Sequence, residues 1–450
     1  MFDRSRLTAL LARERATYAD RHPRSSAAYD RAGHLFGRVP MTWMNKSAAG
    51  FPIHLETAYG ARVTDVDGHE YVDFCLGDTG AMAGHAPAPV VEAVTRRLAE
   101  RGGLATMLPT EEAAEVGAEL ARRFGVPQWS FTLTATDANR WAIRLLRAVT
   151  GRPRILVNSY CYHGSVDESL IVVGPDGRPR GREGNVGAPY DVTETSRVSE
   201  YNDLHGLERE LAHGDVAAVL MEPALTNIGI VLPEPGYLAG VRDLTRRHGT
   251  YLVNDETHTF SAGPGGATAA WGLDPDVVTI GKAIGGGVPI GAYGLTEALA
   301  GELSGRSDLD LVDMGGVGGT LAGNPLSITA ARATLGEVLT DAAFAGMVEV
   351  ATGFATGARK IIEGYALPWS VSQLGARVEY RFASPAPRTG GESAAVADGE
   401  LEDYLHAYLA NRGILLTPFH NMALACPETT PADVARHHEV FAAALGELVG

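Results

Sequence analysis

Lys282 stands in Asp276-Val-Val-Thr-Ile-Gly-Lys282-Ala-Ile-Gly-Gly-Gly-Val-Pro-Ile-Gly291, just past a β-branched run and at the mouth of a glycine-rich loop. Upstream, Tyr251-Leu-Val-Asn-Asp255-Glu256 closes another apolar run with two carboxylates. A primary amine can condense with an aldehyde to a Schiff base, and a carboxylate can hold a pyridine nitrogen protonated. That pair is what pyridoxal phosphate (PLP) requires, because the protonated ring is the electron sink for a carbanion. A lysine normally titrates near about 10.4, so imine chemistry at neutral pH needs burial or the cofactor's own charge to lower that value. Asp255 must stay ionised beside a buried cation, and such pairing favours the ionised form. A lone lysine in a glycine loop is ordinarily a surface group; here the elements that carry it argue for more.

From about residue 86 the pattern alternates helix and strand. Expected helices cover 87–101, 110–124, 137–149, 235–248 and 326–339, and expected strands cover 154–158, 216–221, 250–254 and 277–281. This predicts an α/β fold with a mainly parallel sheet between helices. Ligands of such sheets lie beyond the carboxyl ends of the strands. The strand at 154–158 runs on to Tyr162-His163-Gly164, and that at 216–221 to Glu222-Pro223 and Asn227. The third ends in Asp255 and the fourth at Lys282, so four strands deliver polar groups to one edge. A phosphate needs amide donors at a helix start. Thr134-Ala135-Thr136-Asp137 has the spacing of a capping box, with Trp141 and Leu145 following at helical period.

Before the alternation, residues 1–40 read as polar and helical, then loop-like. Short strands follow between Phe51 and Phe74, with an Asp67-Gly68 hairpin turn. Residues 387–397 read as a flexible loop and 431–449 as the last helix. The 450 residues carry a formal charge of −16, with 45 % hydrophobic and 20 % charged residues. That composition suits a globular enzyme and argues against a nucleic-acid surface. Cys75, Cys161 and Cys426 are too few and too scattered for a disulfide framework or a metal cluster. The opening residues lack a signal-peptide core and no stretch reaches a membrane span, so a cytoplasmic setting and no metal are expected.

With these motifs in place, the chain resembles the class III (fold type I) PLP-dependent aminotransferases, and within them the glutamate-1-semialdehyde aminomutase branch, from about Gly50 onward. The resemblance implies a large domain with a seven-stranded sheet and a smaller α+β domain built from both chain ends. The expected boundaries are 1–85, 86–330 and 331–450. It also implies that Ala135 and Thr136 cradle the phosphate, Ala135 standing where the family usually has glycine. Tyr162 would stack on the ring, Asn227 would donate to the phenolic oxygen near Glu222, Asp255 would pair with the pyridinium and Lys282 would carry the Schiff base. Thr320, in Gly319-Thr320-Leu-Ala-Gly-Asn-Pro325, matches a threonine that reaches the neighbouring subunit's phosphate, which implies a homodimer.

The activity implied is amino transfer between an amino acid or amine donor and a keto acid, through pyridoxamine phosphate. A semialdehyde aminomutase and a racemase or epimerase of the same fold share these cofactor residues. Two departures favour the intermolecular aminotransferase: Trp43 aligns with a substrate-site arginine of the aminomutase, and Gly315-Gly316-Val317-Gly318 fills the stretch of its tyrosine. Thr257 also replaces the usual valine after Asp-Glu. Candidate substrate residues are Arg38 and Arg412 as carboxylate anchors, Trp43 as an aromatic wall, and His420 and Asn421 in Thr417-Pro-Phe-His-Asn. His163 reads as a structural neighbour of Tyr162. A cofactor-binding DNA regulator is disfavoured, because residues 1–40 are too few and insufficiently basic.

Overall fold

The structure, a computed structural model, describes residues 3–188, 190–306 and 316–450. The chain divides into two compact units, one of Ala88–Ala345 with Pro387–Ala395, the other of Met1–Pro87, Gly346–Ala386 and Val396–Gly450.

The first unit is built on a seven-stranded sheet. In chain order the strands are β1 (Gln128–Thr132), β2 (Arg154–Asn158), β3 (Ser196–Ser199), β4 (Val216–Met221), β5 (Tyr251–Asp255), β6 (Val277–Ile280) and β7 (Gly291–Leu295). Their spatial order is β1-β7-β6-β5-β4-β2-β3. The pairs from β6 through β5, β4 and β2 to β3 are parallel, while β7 runs antiparallel to both β6 and β1. Every residue of β4 and β6 is buried. Strands covered on both faces are largely apolar, which is why these segments read as near-continuous apolar runs rather than alternating ones, with Thr279 as the polar exception. The helix Ala135–Thr150 lies over β7 and β6, burying Ala138, Ala142, Ile143, Leu145 and Leu146. Its start is capped as the sequence predicts: the Asp137 amide donates to Thr134 Oγ1 at 3.2 Å, and that hydroxyl donates to the Asp137 carboxylate at 3.0 Å.

The segment 387–397 is not the loop its Gly-Gly pair suggests. Gly390–Ala395 is a short helix. Thr389 and Glu392 form a capping pair, the Glu392 amide donating to Thr389 Oγ1 at 3.1 Å and the Arg388 amide to the Glu392 carboxylate at 2.8 Å. Arg388 is pinned to Glu234 at 2.9 Å and the Ser393 hydroxyl donates to the Ile228 carbonyl.

The second unit holds the helices Arg4–Arg21, Pro23–Arg31, Gly399–Ala410 and Pro431–Val449, the last with a full Thr430/Asp433 capping box. One sheet joins the hairpin Arg62–Asp65/Glu70–Asp73 to Leu55–Tyr59 and to Ile414–Leu415. Another is formed by Ser370–Leu374, Arg377–Arg381 and Met422–Leu424. Among the described residues the ligand atoms of His22, Asp65 and His69 lie within 4.8 Å of one another. Hydrogen bonds already tie this group together: His22 Nδ1 to the Tyr18 carbonyl at 2.6 Å, and the Tyr71 hydroxyl to Asp65 at 2.7 Å. No single described helix is long and apolar enough to cross a membrane.

Candidate active site

Every residue that the sequence assigns to the cofactor falls in the first unit, and all but Thr320 lie in segments that leave the carboxyl ends of its strands. β5 ends in Asp255, which is 3 % exposed. Its Oδ2 accepts from Asn139 Nδ2 at 2.8 Å and lies 2.8 Å from His163 Nδ1, while Oδ1 accepts from the Thr257 amide at 3.0 Å. Burial works to raise the carboxyl, but the hydrogen bond and charge of His163 and the bonds from Thr257 and Asn139 outweigh it and hold the group below the usual carboxylate range. Burial likewise disfavours a charged His163, and its neighbours Cys161 and Asp255 overcome that and raise the ring well above its ordinary value. Asn139 is itself fixed, accepting from the Thr279 hydroxyl of β6 at 2.6 Å. An ionised carboxylate is thus prepared in the interior, as a pyridinium nitrogen requires.

Lys282 follows β6 by two residues and has φ +48°, a left-handed backbone that costs a non-glycine residue about 1–2 kcal/mol. Its Nζ lies 2.8 Å from His258 Nε2. The preceding Gly281 has no room for a side chain: a Cβ there would stand 2.9 Å from the Ala135 amide nitrogen and 3.0 Å from the Ala135 Cβ. The lysine turn and the start of the Ala135–Thr150 helix are therefore in backbone contact. Thr136, in the first turn of that helix, accepts from the Ser165 amide at 3.2 Å. Open helix-start amides beside small residues form an anion cradle.

Tyr162 is half-buried, and its amide donates to Glu222 Oε1 at 3.4 Å. Glu222 is buried and takes a second bond from the Thr226 hydroxyl. Burial raises its carboxyl, only partly offset by the charge of His163 and the Thr226 bond. With its amide oxygen turned toward Arg182, Asn227 accepts from that guanidinium at 2.8 Å. Arg182 also donates to the Cys161 carbonyl at 2.9 Å. Thr320 is exposed in the single chain.

These groups fit PLP on chemical grounds: a buried ionised carboxylate, an amine on a strained turn and a helix start closely approached by Gly281. Such a cofactor makes the bond to a substrate α-hydrogen or amine labile by withdrawing its electrons into the ring.

The substrate candidates all lie in the second unit. Arg412 gives its guanidinium to Glu14 at 2.9 Å and lies over the Tyr408 ring at 3.3 Å, so its fork is engaged within that unit. Arg38 is half-exposed, pairs with Asp30 at 3.0 Å and has φ +63°. Trp43 sits in a 3-10 turn edge-on to Phe419 at 5.4 Å. His420 and Asn421 are buried, His420 3.4 Å from Glu379 and Asn421 3.5 Å from Glu402. Gly315 lies outside the described residues; Gly316–Gly318 are described but the tyrosine-free stretch is not delimited by them.

Sequence reasoning missed Asn139 and His258 and gave His163 too small a part. Asn139 had a signal, as the polar residue among apolar ones on the inward face of its helix. His258, three residues past Asp255, had none beyond its nearness to the strand end.

A family model described as "Aminotransferase class-III" matches residues 43–441. A glutamate-1-semialdehyde 2,1-aminomutase of Chloroflexus aggregans is 37% identical over 387 residues, 83% of this chain and 85% of that protein. Among solved structures, a glutamate-1-semialdehyde-aminomutase from Pseudomonas aeruginosa PAO1 is 46% identical with a TM-score of 0.95, covering 99% of each chain, and it has also been solved in complex with PMP. An omega-transaminase from Sphaerobacter thermophilus is 29% identical with a TM-score of 0.85, over 95% of this chain and 98% of that one. With the fold and the prepared carboxylate and amine in hand, the chain belongs to the class III aminotransferase family, PLP-dependent enzymes of fold type I.

Proposed function

We propose that this enzyme is an aminomutase acting on an amino aldehyde of the glutamate-1-semialdehyde kind, moving the amino group from C2 to C1 while the carbonyl oxygen takes the reverse course. Substrate and product are isomers, so no external donor or acceptor is consumed. The observation that carries this reading is the likeness to the Pseudomonas aeruginosa aminomutase along 99% of both chains. It replaces the intermolecular transfer that the sequence favours.

In this reading Lys282 anchors the cofactor and, once displaced, its free amine carries the proton between substrate carbon and cofactor carbon. General-base work of this kind is worth about 10²–10⁴-fold. Asp255, held ionised by His163 and Asn139, keeps the ring nitrogen protonated. Tyr162 would cover the ring, Ala135 and Thr136 would receive the phosphate, and Asn227, in the segment that Glu222 opens, would donate to the phenolic oxygen. Thr320 reaches the cofactor of a second copy, making the working unit a homodimer.

A second reading, transfer from a separate amine to a keto acid, draws on one specific feature: Trp43 at the position of a substrate-site arginine. One experiment separates the two. Purified, PMP-loaded protein is given glutamate-1-semialdehyde alone. Many turnovers of 5-amino-4-oxopentanoate per site support the aminomutase. A single turnover that stops until an amine donor is added overturns it in favour of the transferase.

A further inference from the structure

We propose that His258 is the proton partner of Lys282, a further catalytic residue of this site. Its Nε2 lies 2.8 Å from the lysine Nζ, within direct hydrogen-bonding reach of the reacting atom. His258 is 9 % exposed and lies three residues past Asp255, just beyond the same strand end. Histidine is the side chain whose ordinary titration lies near neutral pH, which suits it to exchange protons with an amine during turnover.

The step balances simply. When the free Lys282 amine takes a proton from the substrate carbon, it becomes an ammonium. His258 Nε2 accepts one of the ammonium protons, which restores the neutral amine and leaves an imidazolium. Returning that proton to the lysine reverses the step. The pair from the broken C–H bond stays on the substrate carbon, for the bound cofactor to withdraw, and the lysine–histidine exchange needs no other reactant.

The neighbouring titratable and cationic groups have partners of their own. Asp255 is bonded to His163, Asn139 and the Thr257 amide. Glu256 is bonded to Thr259, Thr268 and the Ala267 amide. Glu222 is bonded to Thr226 and Tyr162, and Arg182 to Asn227 and the Cys161 carbonyl. His258 Nε2 meets the lysine nitrogen at 2.8 Å.

The inference rests on Lys282 being the cofactor lysine, so that point is tested first, by borohydride trapping of PLP and mass spectrometry of the Lys282 peptide. A wild-type protein without the adduct overturns that assignment and the proposal with it. Two variants then follow. His258→Leu removes the acceptor, and His258→Gln keeps a hydrogen bond but cannot titrate at these pH values. Both are expected to load cofactor on Lys282. In the cofactor-free protein, acetic anhydride labelling of Lys282 across neutral and alkaline pH should follow two ionisations in wild type and one in both variants. In the loaded enzyme, kcat should fall about 10²-fold in His258→Leu. His258→Gln should recover part of that loss, while its pH–rate profile still lacks one limb. If labelling and pH profile of both variants match wild type, His258 is a packing residue and the proposal is overturned.

Discussion

Asp255 and Glu256 are neighbours at the end of one strand, both buried, and the two sides of the sheet treat them in opposite ways. Asp255 meets a histidine, an asparagine and an amide, and its carboxyl is held low against the pull of burial. Glu256 meets donors too: the Thr259 hydroxyl at 2.6 Å, the Ala267 amide at 3.0 Å, and the Thr268 amide and hydroxyl, each at 2.5 Å. No cationic partner appears among these contacts, and burial raises the Glu256 carboxyl despite them. Hydrogen-bond number does not separate the two sites; the buried histidine does. One side of the strand end holds a charge, and the other uses a carboxyl to tie the 3-10 turn Thr259–Ala262 to the helix Gly266–Ala270.

Asp255→Asn should break the contrast most severely. It leaves His163 without its anionic partner, and losing one member of a buried pair costs about 3–5 kcal/mol. In the proposed reading it also removes the charge that would keep the ring protonated, for which a loss of about 10²–10³-fold in kcat is expected. Urea unfolding and steady-state kinetics on the loaded protein check both; an asparagine variant with wild-type turnover would show that the prepared charge is unnecessary.

Gly266→Ala attacks the other side. Gly266 has φ +63°, and a Cβ there would stand 2.3 Å from Glu256 Oε2. The left-handed backbone costs about 1–2 kcal/mol, and the overpacking a further 1–3 kcal/mol or so. The expected result is a lower urea midpoint with kcat per folded site retained.

Glu256→Gln is milder. The amide must turn one N–H toward a donor, at about 1–3 kcal/mol for the bond left unmade. Its sharper signature is in pH. A carboxyl raised in the folded state binds its proton more tightly there than in the unfolded chain. Its contribution to stability therefore falls as pH rises from the unfolded value, about 4.3, toward the folded one. Asp255 does the reverse: its contribution is present above about 3.9 and is lost as acid titrates the depressed folded value. Denaturant midpoints from mildly acid to neutral pH should therefore decline less in Glu256→Gln than in wild type. Equal slopes would mean that Glu256 ionises as easily folded as unfolded.

The strand ends were legible because chemistry there is written in consecutive residues: an apolar run, then Asp255; an apolar run, then Lys282. The cap at Thr134 was legible for the same reason, and so was the final helix. What surrounds Asp255 was not, because Asn139 and His163 reach it only after the sheet has assembled, from segments more than ninety residues away. Arg412's pairing with Glu14 was hidden for a similar cause, since that partner lies at the other end of the chain. Residues 387–397 misled locally: the Gly-Gly pair outweighed a Thr389/Glu392 capping signal that was present in the sequence.

The contact between Gly281 and Ala135 has a consequence for how this scaffold can change. In the proposed reading, the span from the amine to the phosphate cradle is gauged by the Gly281 backbone resting on the Ala135 backbone and its methyl group. Lineages or engineers can therefore redraw the substrate walls freely, while the gauge that measures the cofactor stays calibrated. A larger residue at either point would detune it for every substrate alike.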